Sequence, residues 1–484
     1  MDSIVQAVFE HSIATPDKTA IATNDQIISY QKLAEKIDIF SASLKSHNIR
    51  KGQRIAIASD DLISYFAAFL GCQLSGMTAV PIEKDISEGK LQDILKSTKP
   101  ILFFMENGKD SYSEFLNAPP SSGNISFPKG DATSAIIATT GTTGKPVLIT
   151  HTNRSMLAEA QNLCSGTDIT GDTVLFANIP FNLALGYRRV FAALYAGATA
   201  VIANQSITAE MLGRYIEKFQ INYMAVVNTN INTLLNIHDP GLIETVSRLH
   251  TLEILAGSVT PAQIRSFRQQ YPDVSLYNVY GMTESGCVLI NNISQNPAEG
   301  CLGKPAVNSQ ICIVDENGLK IDTPNQYGYI AVKGNTSMSG YYHKKSLTEK
   351  VMHSDFIVSS DIGYFDEEGY FYFVSRVGDI LNVDGHKFSP ADIEHAACGY
   401  EGIADCACAA SKEANHPHLP ILYIVCSGSE FDLENFEDYL RQHLEPYKLP
   451  QEIIPVEKIP RTATGKILRK CLGTCSQKNP LHFS

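Results

Sequence analysis

Residues Thr139–Val147 read TTGTTGKPV, and seven of these nine residues are Gly, Thr or Lys. Small residues let backbone N–H groups approach a bound anion closely, threonine hydroxyls add donors, and Lys145 adds a positive charge. This is phosphate-binding chemistry. A Walker loop needs four residues between its glycines and Ser or Thr after its lysine. Here two residues separate Gly141 from Gly144, and Pro146 follows Lys145. The flanks AIIA (Ala135–Ala138) and VLI (Val147–Ile149) read as two strands, not as strand then helix. Taken alone, the segment fits a polar hairpin turn as well as a phosphate cradle.

Four later segments concentrate ionisable and hydroxyl side chains among glycines and aromatics. They are YGMTE (Tyr280–Glu284), SDIGYFDEEGYFYFVSRVGD (Ser360–Asp379), NVDGHKFSPADIE (Asn382–Glu394) and PRTATGKILRK (Pro460–Lys470). Within them Glu284, Asp361 and Lys466 are charged side chains, each within two residues of a glycine.

These residues need a scaffold, and the pattern supplies one. Arg54–Ala58 reads as a buried strand, 61–74 as a helix with apolar residues at 62, 63, 66, 69, 70 and 74, and Thr78–Ile82 as the next strand. That is a βαβ signature and implies a parallel sheet covered by helices. The alternation returns with a helix at MLGRYIEKF, strands at YMAVV and LEIL, a helix opened by Pro at PAQIRSFRQQ, and a strand at SLYNV. Glu284 then follows a buried strand and a Tyr-Gly turn. Residues 301–375 alternate apolar residues with Gly and Tyr and suggest antiparallel strands. Beyond residue 379 helices resume at ADIEHAAC and FDLENFEDYLRQHLE.

The 484 residues carry 39 basic and 51 acidic side chains, a net charge of -12, which argues against a nucleic-acid or anionic-membrane surface. The N-terminus has no basic n-region, and the most apolar window, YFAAFLGCQLSGMTAV, is too short and polar to span a bilayer, so a cytoplasmic protein is expected. The eleven cysteines are scattered. Cys398, Cys406 and Cys408 fit no structural zinc spacing, and small buried hydrophobes are the better reading.

In this order and at these separations the five segments resemble the adenylate-forming superfamily. That family includes acyl- and aryl-CoA synthetases, adenylation domains of nonribosomal peptide assembly, and luciferases. The resemblance runs from TPDKTAI (Thr15–Ile21) to Lys470. It implies an α/β fold: a large N-terminal domain (1–377) with helix-covered, mostly parallel sheets and a small β-rich subdomain, then a small mobile α+β C-terminal domain (378–484). It also implies a reaction in which a carboxylic acid and ATP, with Mg2+, give an acyl-adenylate and pyrophosphate. A thiol of CoA, or of phosphopantetheine on a separate acyl or peptidyl carrier protein, then takes the acyl group. Two anions must meet in the first half, so positioned cations and donors should carry most of the catalysis.

Residue by residue, the resemblance makes Thr139, Thr140, Gly141, Thr142, Thr143, Gly144 and Lys145 the phosphate loop. Tyr280 would stack on adenine, Thr283 would reach the α-phosphate, and Glu284 would hold Mg2+. Asp361 would accept from the ribose hydroxyls with Arg376 nearby. Gly257, Ser258, Asn278, Gly281 and Met282 would complete the nucleotide site. Lys466 would bind the carboxylate and the α-phosphate during adenylation. Gly378 would be the hinge about which the small domain turns, and Gly385 would let the pantetheine arm pass close to the backbone. The acid would meet Asn182, Leu183, Gly186, Ala225, Ile254, Ala256 and Val279.

This chain departs from the family's pattern in places. Relatives often read GTTGKPKG at the loop, whereas Val147 and Leu148 here replace the last Lys-Gly and remove one cation. Leu183 stands where CoA synthetases often place a gating histidine. Asn182 stands where α-amino-acid-activating relatives carry Asp, and a neutral Asn leaves a buried ammonium unpaired. Small apolar lining then favours an aryl or medium-chain acyl acid. The rivals are an α-amino-acid or amide-forming ligase, a luciferase-like oxygenase, and an adenylate binder without catalysis.

Overall fold

The computed structural model describes residues 1–59, 61–83, 86–104, 112–116, 119–120, 125–140, 146–177, 179, 184–203, 208–227, 229–255, 259, 261–377, 381–383, 386–411, 419–426, 431–461, 467–474 and 481–482. Its organising helix is Leu62–Ser75, every residue of which is buried. Asp61 caps it by accepting from the N–H groups of Ile63 and Ser64, and Gly76 ends it in the left-handed region at φ 75°. A helix apolar all round belongs between layers. Phe66 and Phe69 meet Phe191 of the helix Ala184–Ala196 in edge-to-face contacts at 6.1 and 5.2 Å.

Two sheets flank this core. The smaller has six strands in the order Gly340–Tyr341, Pro146–Thr152, Thr133–Thr140, Thr78–Pro81, Arg54–Ile57, Leu102–Phe104. The predicted βαβ unit forms its parallel side. Thr133–Thr140 and Pro146–Thr152 pair antiparallel, Thr140 opposite Pro146, so the strand–loop–strand reading around 141–145 matches the described flanks. Leu148, which stands where relatives carry the last Gly, is buried in a core with Val80 and Ile82.

The larger sheet joins fifteen described strands. Six run parallel in the spatial order Thr19–Ala22, Thr199–Ile202, Val174–Ala177, Tyr223–Val227, Thr251–Leu255, Ser275–Met282. From Ser275–Met282 the sheet continues antiparallel through Gly286–Asn292 and Cys301–Pro305 into Phe371–Arg376, Phe356–Phe365, Gly328–Gly334 and Ser309–Val314. The expected antiparallel strands after residue 300 are present. They are an extension of the parallel sheet, and their own small core gathers Val288, Leu302, Ile313, Ile330 and Val332.

Toward the C-terminus, Leu381–Val383 and His386–Phe388 form a hairpin. A four-stranded sheet of Ile403–Ala410, Pro420–Cys426, Glu452–Pro455 and Leu481–His482 follows. The helices Pro390–Cys398 and Leu433–His443 pack on it through Ile393, Phe436 and Leu440. Cys406 and Cys408 are buried in this core, as hydrophobes would be. Among the described residues no helix is long and apolar enough to cross a membrane.

Candidate active site

The end of the parallel strand Ser275–Met282, the strands carrying Asp361 and Arg376, and the C-terminal part converge on one cleft of about 1140 Å³. Thr139, Asn278 to Glu284, Asp361 and Arg376 all line it. From the C-terminal part come Glu394, His395, Asp405, Arg461, Ile467 and Arg469.

Sheet register sets the first cluster. Asp361 lies directly opposite Arg376 on the neighbouring antiparallel strand. Arg376 donates Nε to Asp361 Oδ1 at 2.5 Å and Nη2 to Oδ2 at 3.0 Å, a bidentate fork. The Tyr280 hydroxyl donates to Oδ2 at 2.7 Å. Burial first, then the Asp361 charge, pushes the Tyr280 phenol well above its ordinary pKa, so it stays a neutral donor. Asp361 is 2% exposed and its carboxylate accepts these three hydrogen bonds.

A second cluster surrounds Thr283 and Glu284. Tyr280 and Gly281 are still in the strand, opposite Leu289 and Cys287, so the expected Tyr-Gly turn lies later, at 283–285. Strand pairing continues there because residue 281 is glycine: a Cβ would stand 2.0 Å from the Gly286 carbonyl oxygen. The Thr283 carbonyl accepts from His151 Nε2 at 2.8 Å and from Arg188 Nη2 at 3.2 Å. Arg188 is in turn paired with Glu159, Nε to Oε2 at 2.5 Å, and both are buried. Burial first and the Arg188 charge second hold the His151 pKa down to about 3. His151 is therefore neutral, with its proton assigned to Nε2 by the carbonyl partner. Burial pushes the Glu159 carboxyl up and Arg188 pulls it back. The Glu284 carboxylate accepts from the Tyr341 hydroxyl at 3.0 Å, and its backbone carbonyl from the Met338 N–H at 2.7 Å.

Other expected positions divide. Val279 lines the cleft. Gly186, Ala225 and Ile254 are not among its described lining residues. Ala225 and Ile254 are fully buried, Ala225 in the core around Leu62–Ser75 and Ile254 in the core of Leu252 and Phe267. Their strands lie inside the sheet with both faces covered, so a small or apolar residue there is core. Ala184, Leu185, Leu235, Val259, Gln263 and Ile264 line that side instead. Residues 141–145, Asn182, Leu183, Ala256, Gly257, Ser258, Gly378, Gly385 and Lys466 lie outside the described residues, as does the side chain of Thr140. Arg461 and Ile467, which bracket 462–466, pair in a β-bridge and both line the cleft.

His151, Glu159, Arg188 and Tyr341 escaped the sequence reading. One signal was present: Arg188 and Arg189 are adjacent charges in an otherwise apolar helix, which demands buried acids. Glu159 and Glu253 are those acids, and Arg189 pairs with Glu253 where both are fully buried. Among the described residues no group of three His, Cys, Asp or Glu is arranged to hold a metal. Mg2+ accompanying a nucleotide needs only one or two carboxylates besides phosphate oxygens and water, and Glu284 in the cleft fits that requirement.

The model of the AMP-binding enzyme family matches residues 9–342, and that of the AMP-binding enzyme C-terminal domain matches residues 392–466. The chain belongs to the AMP-binding enzyme family. A similar curated protein is the 2-succinylbenzoate–CoA ligase of Oceanobacillus iheyensis, 24% identical over 478 residues, 95% of this chain and 97% of the relative. Among solved structures, the o-succinylbenzoate CoA synthetase of Bacillus subtilis with its acyl-adenylate intermediate superposes with a TM-score of 0.84 at 22% identity, covering 98% of this chain and 99% of that one. The same synthetase has been solved with ATP and a magnesium ion. An anthranilate CoA ligase with anthranoyl-AMP gives a TM-score of 0.88 at 19% identity, over 98% of this chain and 96% of that one. These likenesses establish that the AMP-binding enzyme has the adenylate-forming fold, with a large N-terminal and a small C-terminal part.

Proposed function

We propose that this enzyme activates a carboxylic acid, an aryl acid foremost, as its acyl-adenylate and passes the acyl group to the pantetheine thiol of CoA. The observation that carries the reading is the single cleft in which Tyr280, Thr283, Glu284, Asp361 and Arg376 meet the segment that brackets Lys466. In the first step a carboxylate oxygen bonds to the α-phosphorus of ATP as the bond to pyrophosphate breaks. In the second the thiol sulfur bonds to the acyl carbon, its proton leaves, and AMP departs. Asp361 and Arg376 would orient the nucleotide beside Tyr280. Thr283 and the loop 139–145 would meet the phosphates, and Lys466 would draw the two anions together. Mg2+ on Glu284 would offset the charge of the phosphates. CoA is favoured over a carrier protein because the similar curated and solved proteins quoted above are CoA ligases.

We further propose a division at 377/378 into a core and a C-terminal domain that carries Lys466, and residence in the cytoplasm. A panel of acids in a pyrophosphate-release assay, with hydroxylamine to turn over the adenylate, tests the reading. Aryl or medium-chain acids are expected to give signal that falls about 100-fold or more in Lys466→Ala. Signal mainly with α-amino acids would overturn the argument from Asn182. ATP binding without turnover of any acid would leave a non-catalytic adenylate binder.

A further inference from the structure

We propose that Tyr341 is a positioning residue for Glu284, holding its carboxylate in the orientation that meets the metal–nucleotide complex. The inference rests on reading Glu284 as the carboxylate that binds the cation. Two contacts tie residue 284 to one short segment: the Tyr341 hydroxyl on Oε1 at 3.0 Å and the Met338 N–H on the carbonyl at 2.7 Å. Side chain and backbone of Glu284 are thereby referred to the same piece of chain.

That piece is itself firmly placed. Gly340 and Tyr341 pair with Thr150 and Ile149, adding an edge strand to Pro146–Thr152, the strand that follows residues 141–145. Ser339 and Tyr342 donate their N–H groups to Thr150 and Leu148 at 2.8 Å each. Met338 is buried with Ile149 and Ile357, and the Tyr341 N–H donates to Thr348 Oγ1 at 2.9 Å. Glu284 belongs to a turn of the fifteen-stranded sheet, whereas Tyr341 belongs to the six-stranded one. The phenol therefore couples two sheets across the cleft that both residues line.

The choice of donor matters chemically. A lysine or arginine at 341 would neutralise Glu284 and compete with a dication. A phenol fixes the plane of the carboxylate, leaves its charge intact and engages one oxygen, so the second remains available as a ligand. Outer partners of this kind orient metal-binding carboxylates, and their loss typically costs about 10- to 100-fold in metal affinity.

The test uses the full chain with a non-hydrolysable α,β-methylene analogue of ATP and reads Mn2+ binding by electron paramagnetic resonance. Tyr341→Phe is expected to weaken Mn2+ binding about 10-fold, and Glu284→Gln at least as much. The double variant is expected to match Glu284→Gln alone, because the phenol acts through the carboxylate. Tyr341→Gln, which restores an N–H donor, is expected to recover part of the loss. Thermal midpoints of each variant separate loss of fold from loss of metal, and the Gln variant carries the comparison if the Phe variant does not fold. Wild-type Mn2+ affinity in Tyr341→Phe, with Glu284→Gln impaired, would sink the positioning role and leave the Glu284 reading standing. Unchanged affinity in Glu284→Gln would overturn that reading and this inference with it. Losses that add in the double variant would show Tyr341 acting independently of Glu284.

Discussion

His151 illustrates how much of this site is held by residues that need not touch a ligand. It sits at 0% exposure, donates to the Thr283 carbonyl, and is denied a proton by burial and by Arg188. Its folded pKa lies below the unfolded value near 6.5, so the unfolded chain binds the extra proton first. The stability it contributes is present above pH 6.5 and is lost as pH falls toward about 3, at about 1.4 kcal/mol per pH unit from this group. His151→Gln keeps a donor for Thr283 and removes the titration. Urea unfolding between pH 6.5 and 5 is expected to show a shallower loss of stability in that variant than in wild type. Equal slopes would mean that His151 is not buried neutral. Neither the donor nor its target could be paired from sequence, because residues 151 and 283 are 132 positions apart.

At the scale of elements, the strand Ser275–Met282 and its antiparallel neighbour decide where Thr283 and Glu284 stand. Their pairing shifts between Tyr280 and Gly281, and the close approach there allows no side chain at 281. Gly281→Ala must push the two strands apart, since the obstacle is a backbone oxygen. A loss of about 1–3 kcal/mol or more in unfolding free energy is expected, as for an overpacked core. Nucleotide binding should weaken with it, read by equilibrium dialysis with ATP. A variant with native stability and native ATP affinity would mean the turn tolerates displacement. The same pairing corrects the expected Tyr-Gly turn. Glycine after an apolar strand reads as a terminator, yet here it is the residue that lets the strand continue beside its neighbour.

Across the whole molecule, the large and C-terminal parts meet at His395 and Glu299, with Nδ1 to Oε1 at 2.6 Å. Burial opposes a charge on His395, but Glu299 outweighs it, with help from Glu394, and raises its pKa above the ordinary value. A raised folded pKa means that the contact's stabilisation is complete below about pH 6.5 and fades as pH rises through the folded value. NMR titration should therefore place His395 above the ordinary histidine value, and Glu299→Gln should bring it down, since burial then acts with less opposition. An unchanged titration in that variant would show that the two parts do not meet there in solution.

The family and the alternation of strands and helices were legible in the sequence, and so was the grouping of residues 139, 280–284, 361 and 376, which the fold brings to one cleft. Those features are local: spacing within a loop, period along an element, and the order of short segments. Asp361 could be named as an acceptor for the same reason. The partners could not. Arg376 meets Asp361 through the register of two strands, Tyr341 meets Glu284 across two sheets, and Arg188 finds Glu159 on another helix. Ala225 and Ile254 look like small pocket linings in the chain and are core in the fold, because covering both faces of a sheet is a property of layers rather than of a strand. Residue type reports what a side chain can do. Only packing decides which distant group it does it with, since burial, register and charge pairing arise once the layers close.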